Sequence, residues 1–234
     1  MTAHSNICDT FAVVPIRAGS KGLPGKNVMP LDGVPLYLRA VWQGLRTVGR
    51  VLLSTDIAEI DEANLPEGCI LCRRPANLAG DKTPMAAVIE HLIFERSLQG
   101  ATIVLLQATS PLRQDHDIQK AMAMFREGGR DMVLSVVERD RDVLKYGTIE
   151  DNTFTAMREQ AFCFYNRQQL PPVFSPNGAV YVFAANRFLE AKGFPSERIG
   201  AIEMPVDRSA DIDTLDDLRL VEQVLQMQST AIKG

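Results

Sequence analysis

The chain has 234 residues, 46% of them hydrophobic and 23% charged, the make-up of an ordinary globular protein with one substantial core. Its formal net charge of -4 excludes the basic surface that nonspecific nucleic-acid or anionic-membrane binding needs, so an anionic ligand must be met by a local cluster of cations. No apolar run reaches the roughly 20 residues that span a bilayer, and residues 1–10 lack the basic start and apolar middle of a signal peptide, so a cytoplasmic location is expected.

The first apolar run ends at Val13-Val14 and breaks into Pro15-Ile16-Arg17-Ala18-Gly19-Ser20-Lys21-Gly22-Leu23-Pro24-Gly25-Lys26-Asn27. Glycines admit an anion to main-chain N–H groups, and Arg17, Lys21 and Lys26 supply the charge a polyphosphate needs. The stretch fails the Walker A pattern, because Ser20 stands five residues before Gly25 and Asn27 replaces the Ser/Thr that holds magnesium. It also fails G-x-G-x-x-G, because Lys21 stands at the second glycine.

Residues 36–46 carry Leu36, Ala40, Val41 and Leu45 at helical spacing, and residues 51–56 read as a buried strand followed by a short helix over 57–64. Residues 69–72 form a further strand, in which Cys69 and Cys72 point to opposite faces. With Cys8 and Cys163 the only other cysteines, buried structural thiols are expected, not a zinc site. A helix is predicted over 83–98, a strand over 102–106 ending at Gln107-Ala108-Thr109, a helix carrying Ile118, Ala121, Met122 and Phe125, and a strand over 132–137. Strands alternating with helices predict an α/β fold with a mostly parallel, Rossmann-like sheet covered on both faces.

The alternation stops over residues 138–172, which read as an insertion within a single domain spanning 1–234, with a short meander over 146–157 turning at Asp151-Asn152. The core resumes with a strand at 179–183, a helix near 187–192, a strand over 199–204 and a last helix over 214–227. Just before that helix, Asp211-Ile212-Asp213 in extended form places two carboxylates on one side. Magnesium suits such a pair, since it takes one or two carboxylates and completes its shell with phosphate and water. The competing reading is that Asp213 caps the helix. With a triphosphate loop elsewhere in the chain, metal binding by Asp211 and Asp213 is preferred.

The glycine-rich loop resembles the signature of the CMP-sialic acid synthetases (acylneuraminate cytidylyltransferases), close to P-A-R-G-G-S-K-G-L-P-x-K-N, with Ile16 and Ala18 departing from it. Arg74-Pro75-Ala76-Asn77-Leu78-Ala79, Leu105 to Arg113, Arg167-Gln168-Gln169-Leu170-Pro171, Asn177-Gly178-Ala179-Val180-Tyr181 and Asp211-Ile212-Asp213 also resemble motifs of that family, in order over nearly the whole chain. The resemblance implies transfer of CMP from CTP to the anomeric hydroxyl of a nonulosonic acid with release of pyrophosphate. Arg17 and Lys21 would stabilise the phosphates, with magnesium on Asp211 and Asp213 and the nucleotide held by Ala18, Gly19, Ser20, Lys26, Asn27 and Arg74. It implies a sugar site of Gln107, Lys145, Arg167, Tyr181 and Phe194, with Arg167 on the sugar carboxylate, as a bidentate guanidinium suits. It also implies that residues 138–172 form a dimerisation element through which a homodimer completes each site in trans.

No histidine is placed as a base, since His4, His91 and His116 lie in a tail and on helices, which leaves a metal-activated hydroxyl as the expected nucleophile. Met85, Ser175 and Pro195 depart from residues common in the family and leave the sugar open among sialic, legionaminic and pseudaminic acids. A CMP-Kdo-type synthetase, whose first loop usually has S-T-R at Ser20-Lys21-Gly22, and a catalytically silent nucleotide-binding protein of the same fold are the alternatives.

Overall fold

A computed structural model describes residues 9–19 and 22–233. The strands are β1 (Thr10–Pro15), β2 (Pro30–Leu31), β3 (Val34–Pro35), β4 (Val51–Thr55), β5 (Cys69–Arg73), β6 (Thr102–Leu106), β7 (Met132–Arg139), β8 (Gly147–Glu150), β9 (Thr153–Ala156), β10 (Val173–Ala184) and β11 (Ile199–Glu203). The helices are α1 (Leu36–Thr47), α2 (Met85–Glu95), α3 (Asp115–Arg126), α4 (Ala185–Glu190) and α5 (Leu215–Lys233). Seven strands form one sheet in the order β11-β7-β10-β6-β1-β4-β5, parallel except for β10.

Period-two alternation sorts each strand between two cores. Ala12, Val14, Leu53, Val104 and Leu106 face α1 and α3, whereas Val13, Leu52, Ile103 and Leu105 face α2 and α4. Cys69 and Cys72 fall on these opposite faces, both buried, and burial pushes their thiols up to about 12 and about 11. They are inert packing groups, as expected. A third cluster of Leu31, Leu36, Leu112, Ile212, Leu218 and Val221 seats α5 beside the loops at the carboxyl ends of β1 and β6. The chain leaves β1 for β4 on one side and meets β6 on the other, so a crevice opens at that end of β1. Among the described residues no helix is long and apolar enough to cross a membrane.

The structure departs from the sequence-based expectation in two elements. Instead of a helix over 57–64 there is only a 3-10 turn at Glu62–Asn64, because the Arg73 guanidinium takes the carbonyls of Ile57 (2.7 Å) and Ile60 that a helix would use itself. The strand expected at 179–183 is the twelve-residue β10, which runs antiparallel to β6 and β7 and includes Pro176, Asn177 and Gly178. That Pro-Asn-Gly run has the composition of a turn, and a register shift against β7 between Pro176 and Tyr181 accommodates it.

The ends of β7 and β10 extend as a two-stranded ribbon, with Arg139 opposite Val173, and carry residues 140–172 away from the sheet. Within that segment β8 and β9 form a hairpin whose turn residues Asp151 and Asn152 both have positive φ, 47° and 58°. This is the type I′ pattern that Asn and Asp tolerate and that matches strand twist. The sequence locates this turn correctly.

At the opposite end of β7, Asp131 is nearly buried and accepts from Arg198 Nε (2.9 Å) and Nη2 (2.7 Å) and from Arg187 Nε (3.2 Å) and Nη2 (3.1 Å). The Arg198 hydrogen bond, followed by that of Arg187, holds its carboxyl down to about 2. A depressed carboxylate contributes stability above its unfolded pKa of about 3.9 and loses it as pH falls through about 2. Asp131→Asn is therefore expected to lower the thermal midpoint at pH 7 and to shrink the fall in stability between about pH 4 and pH 2. Thermal melts of both proteins across that range check it; parallel pH profiles would exclude this role.

Candidate active site

The phosphate-type loop leaves β1 in the crevice and returns along the 3-10 turn Lys26–Val28. Asn27 is buried and its Nδ2 donates to the Arg17 carbonyl at 3.0 Å, which ties the two limbs of the loop together. Lys26 reaches the far side of the crevice, where Nζ donates to the Ile212 carbonyl at 2.9 Å and pairs with Asp213 Oδ1 at 2.7 Å, 187 residues away in sequence. Gly22 lies so close to this segment that a β-carbon on it would stand 2.4 Å from the Asp213 carbonyl. Loop and Asp-Ile-Asp segment thus share one cleft of about 330 Å³, lined by Arg17, Gly19, Lys26, Arg74, Gln107 and Asp211, among others.

The side chains of the Asp-Ile-Asp segment alternate as its pattern demands. Ile212 is fully buried and its N–H donates to the Thr109 carbonyl at 2.9 Å, while Asp211 and Asp213 both line the cleft. Asp213 does not cap α5. Thr214 Oγ1 accepts from the Asp217 N–H at 3.2 Å, and Asp217 Oδ2 accepts from the N–H groups of Thr214 (2.8 Å) and Asp213 (3.1 Å). Asp211 is exposed by area, yet the surrounding loops withdraw enough water to push its carboxyl pKa up, with a hydrogen bond from Thr109 acting against that and the charge of Asp213 adding to it.

Arg74 is 9% exposed, with Nε at 3.3 Å from Ser54 Oγ and Nη2 at 3.2 Å from the Ser54 carbonyl, and burial lowers its pKa. Arg17 pairs with Asp81 at 2.8 Å, and the Ala18 N–H donates to Asp56 Oδ1 at 2.9 Å, so that amide is turned toward β4. Asp56 and Asp81 escaped the sequence reading, although both sit where the polar tips of β4 and β5 gather. Ser20 and Lys21 lie outside the described residues.

Tyr181 sits close enough to Asp211 for that charge to raise its phenol pKa, second to burial, and its ring lies 5.8 Å from Phe194. Phe194 also packs edge-on against Phe183 (5.6 Å) and Phe188 (5.4 Å), so it belongs to the core, and neither it nor Tyr181 lines the cleft itself. Gln107 and Met85 line the cleft. Lys145 and Arg167 do not line it: Lys145 pairs with Asp142 at 3.1 Å, and Arg167, 65% exposed, lies 3.6 Å from Asp140.

Arg113, from the loop after β6, is a further residue without an assigned role in the sequence. It is 2% exposed and donates to Gln43 Oε1 (2.8 and 3.2 Å), the Gln107 carbonyl (3.1 Å) and the Ala179 carbonyl (2.7 Å). It therefore fixes the stem of Gln107 against β10.

Known proteins resemble this chain in sequence and in fold. The chain is 31% identical to the N-acylneuraminate cytidylyltransferase of Streptococcus agalactiae serotype V over 88% of its own length but 51% of that protein's, so it spans about half the length of the streptococcal relatives. It is 28% identical to the CMP-N,N'-diacetyllegionaminic acid synthase of Legionella pneumophila over 95% of this chain and 98% of that one. In fold it is similar to a CMP:2-keto-3-deoxy-manno-octonic acid synthetase whose structure holds CTP, with a TM-score of 0.69 and 14% identity over 94% of this chain and 99% of that one. The cytidylyltransferase family model matches residues 11–231, so the chain belongs to the cytidylyltransferase family.

Proposed function

We propose that the protein transfers CMP from CTP to the anomeric hydroxyl of a nonulosonic acid, sialic acid or a relative such as legionaminic or pseudaminic acid. One observation carries this reading: the cationic loop and the paired carboxylates, far apart in sequence, meet across a single cleft through Lys26 and Asp213. In the reaction the sugar hydroxyl oxygen bonds to the α-phosphorus and releases its proton to water, the bond from that phosphorus to the bridging oxygen breaks, and pyrophosphate leaves with the electron pair. Arg17 and Lys26 then meet charge growing on the phosphates, with Lys21 assigned the same task, while Gly19 and Ser20 offer main-chain N–H groups. Arg74 binds the cytosine, and Gln107 and Tyr181 face the sugar, with Phe194 behind Tyr181.

The donor set fits magnesium: two carboxylates open to one cleft, one of them with a raised pKa that a nearby cation would relieve, and room for phosphate oxygens to complete the shell. Held by Asp211 and Asp213, the ion would neutralise phosphate oxygens and acidify the attacking hydroxyl. His91, at 3.7 Å from Glu95, and His116, at 3.1 Å from Asp117, are engaged elsewhere, which supports a mechanism without a histidine base.

Residues 138–172 serve, in this reading, as a dimerisation element. They expose Tyr146, Ile149, Met157 and Phe164, the last 84% exposed, an apolar surface suited to burial against a second copy. The partner's cleft is then where Arg167 and Lys145 act, Arg167 on the sugar carboxylate. Arg167→Ala is expected to raise the KM for the sugar acid by about tenfold or more while leaving that for CTP within about twofold. An unchanged sugar KM removes Arg167 from the site.

A cytoplasmic location matches these substrates. The test of the whole reading is pyrophosphate release from CTP and magnesium against a panel of sialic, legionaminic, pseudaminic and Kdo acids. Turnover with Kdo alone would favour a CMP-Kdo-type synthetase, and CTP binding without any turnover would favour a silent nucleotide binder.

A further inference from the structure

The bulge in β10 places Asn177 and Gly178 between the two halves of the β7 pairing. Asn177 is 7% exposed, and its amide is engaged at both ends. Oδ1 accepts from Ser135 Oγ at 2.6 Å and from the Ala179 N–H at 3.2 Å, and Nδ2 donates to Ser209 Oγ at 3.0 Å. Ser135 Oγ accepts in turn from the Val180 N–H at 2.9 Å, and Ser209 Oγ donates to the Pro205 carbonyl at 2.9 Å. A polar chain thus runs from the middle of β7, through the bulge, to the turn that precedes the Asp-Ile-Asp segment.

That segment is also held just beyond Asp211, where the Ile212 N–H donates to the Thr109 carbonyl at 2.9 Å. Only Ala210 and Asp211 lie between these two fastenings. A tether of two residues fixed at both ends has little conformational freedom left to lose when its carboxylate takes up a ligand, which is the energetic content of preorganisation. The same bulge shapes the sugar side of the cleft. Gly178 has φ +79°, open to glycine, and its β-carbon position lies 3.7 Å from the Gln107 side-chain amide. Bulges beside functional sites re-aim side chains in this manner.

We propose that the Asn177–Ser209 hydrogen bond is a positioning device for Asp211: it sets where that carboxylate stands in the cleft and thereby the affinity of the site for a divalent cation with its nucleotide. The proposal rests on Asp211 serving the phosphates as described above. Asn177 and Ser209 are positioning residues and touch neither substrate.

Ser209→Ala removes the far end of the bridge while leaving the Ser135–Asn177–Ala179 contacts in place, and Ser209→Thr keeps the hydroxyl. The experiment measures Mn2+ binding to the full chain with CTP by electron paramagnetic resonance, beside thermal midpoints, CTP binding without metal, and the magnesium dependence of pyrophosphate release. Ser209→Ala is expected to bind Mn2+ about tenfold more weakly and to need correspondingly more magnesium, with thermal midpoint and metal-free CTP binding as in wild type. Ser209→Thr is expected to restore the wild-type affinity. Unchanged Mn2+ affinity in Ser209→Ala overturns the proposal while the reading of the site stands. So does a loss that Ser209→Thr fails to restore, or one that accompanies a general fall in stability and metal-free binding. A wild-type chain that neither binds Mn2+ nor releases pyrophosphate overturns both.

Discussion

Asp211→Ala is expected to cut pyrophosphate release by about 10³-fold while leaving the thermal midpoint near that of wild type. The two halves of that expectation come from different parts of the same residue. Its carboxylate lines the cleft opposite the cationic loop, and its side-chain partner is Thr109, so truncation removes one partner of one hydrogen bond. Its main chain is fastened by neighbours that the substitution leaves alone: Ile212 stays fully buried, its N–H stays on the Thr109 carbonyl, and Lys26 stays on the Ile212 carbonyl. Asp213 alone does not make up the loss, because the proposed cation site uses both carboxylates and Asp213 already shares its charge with Lys26 Nζ at 2.7 Å. Single-turnover measurements at saturating CTP and magnesium, beside a thermal melt, decide the matter. Turnover within about tenfold of wild type would remove Asp211 from the chemistry.

Arg113→Met is expected to destabilise the fold by about 3–5 kcal/mol, far more than loss of any exposed ion pair. Methionine matches much of the arginine stem, so the loss is polar. The buried Ala179 carbonyl and Gln43 amide oxygen would lose their Arg113 donor, and the Gln107 carbonyl would keep only the long bond from the Ser110 N–H at 3.5 Å. Burial lowers the Arg113 pKa to about 10, which leaves the guanidinium charged at neutral pH and its five donors available. The control is Arg46→Ala: Arg46 makes two good hydrogen bonds to Asp115, at 2.7 and 2.9 Å, but is 56% exposed, and its loss is expected to cost less than about 1 kcal/mol. Urea denaturation of both variants tests the contrast. Equal midpoints would mean that Arg113 is replaceable packing.

The sequence made the fold class legible because its main signal is local. The continuous apolar run over 102–106 and the helical spacing in 36–46 each need only neighbours in the chain, and both elements appear where expected. Asp151-Asn152 identified its own turn for the same reason, since positive φ is a property of those residues. The helix expected over 57–64 failed because Arg73, from the adjacent strand, claims its carbonyls, a competition that periodicity does not register. In β10, the Pro-Asn-Gly run hid a strand, since its turn-like composition is absorbed by a bulge that exists only against β7.

The site divides in the same way. The amino acids by themselves determined that glycines and cations would gather in one loop after β1 and that Asp211 and Asp213 would face one side with Ile212 facing the other. Both follow from side-chain chemistry and the period of an extended strand. Only the tertiary structure decided that Asp56 and Asp81 brace that loop, that Thr214 and Asp217 free Asp213 from capping, and that Arg113 and Asn177 set the stems of Gln107 and Asp211. Those contacts are made where the order of strands in the sheet brings distant segments together, and buried polar groups, which must find partners, take whichever the packing supplies.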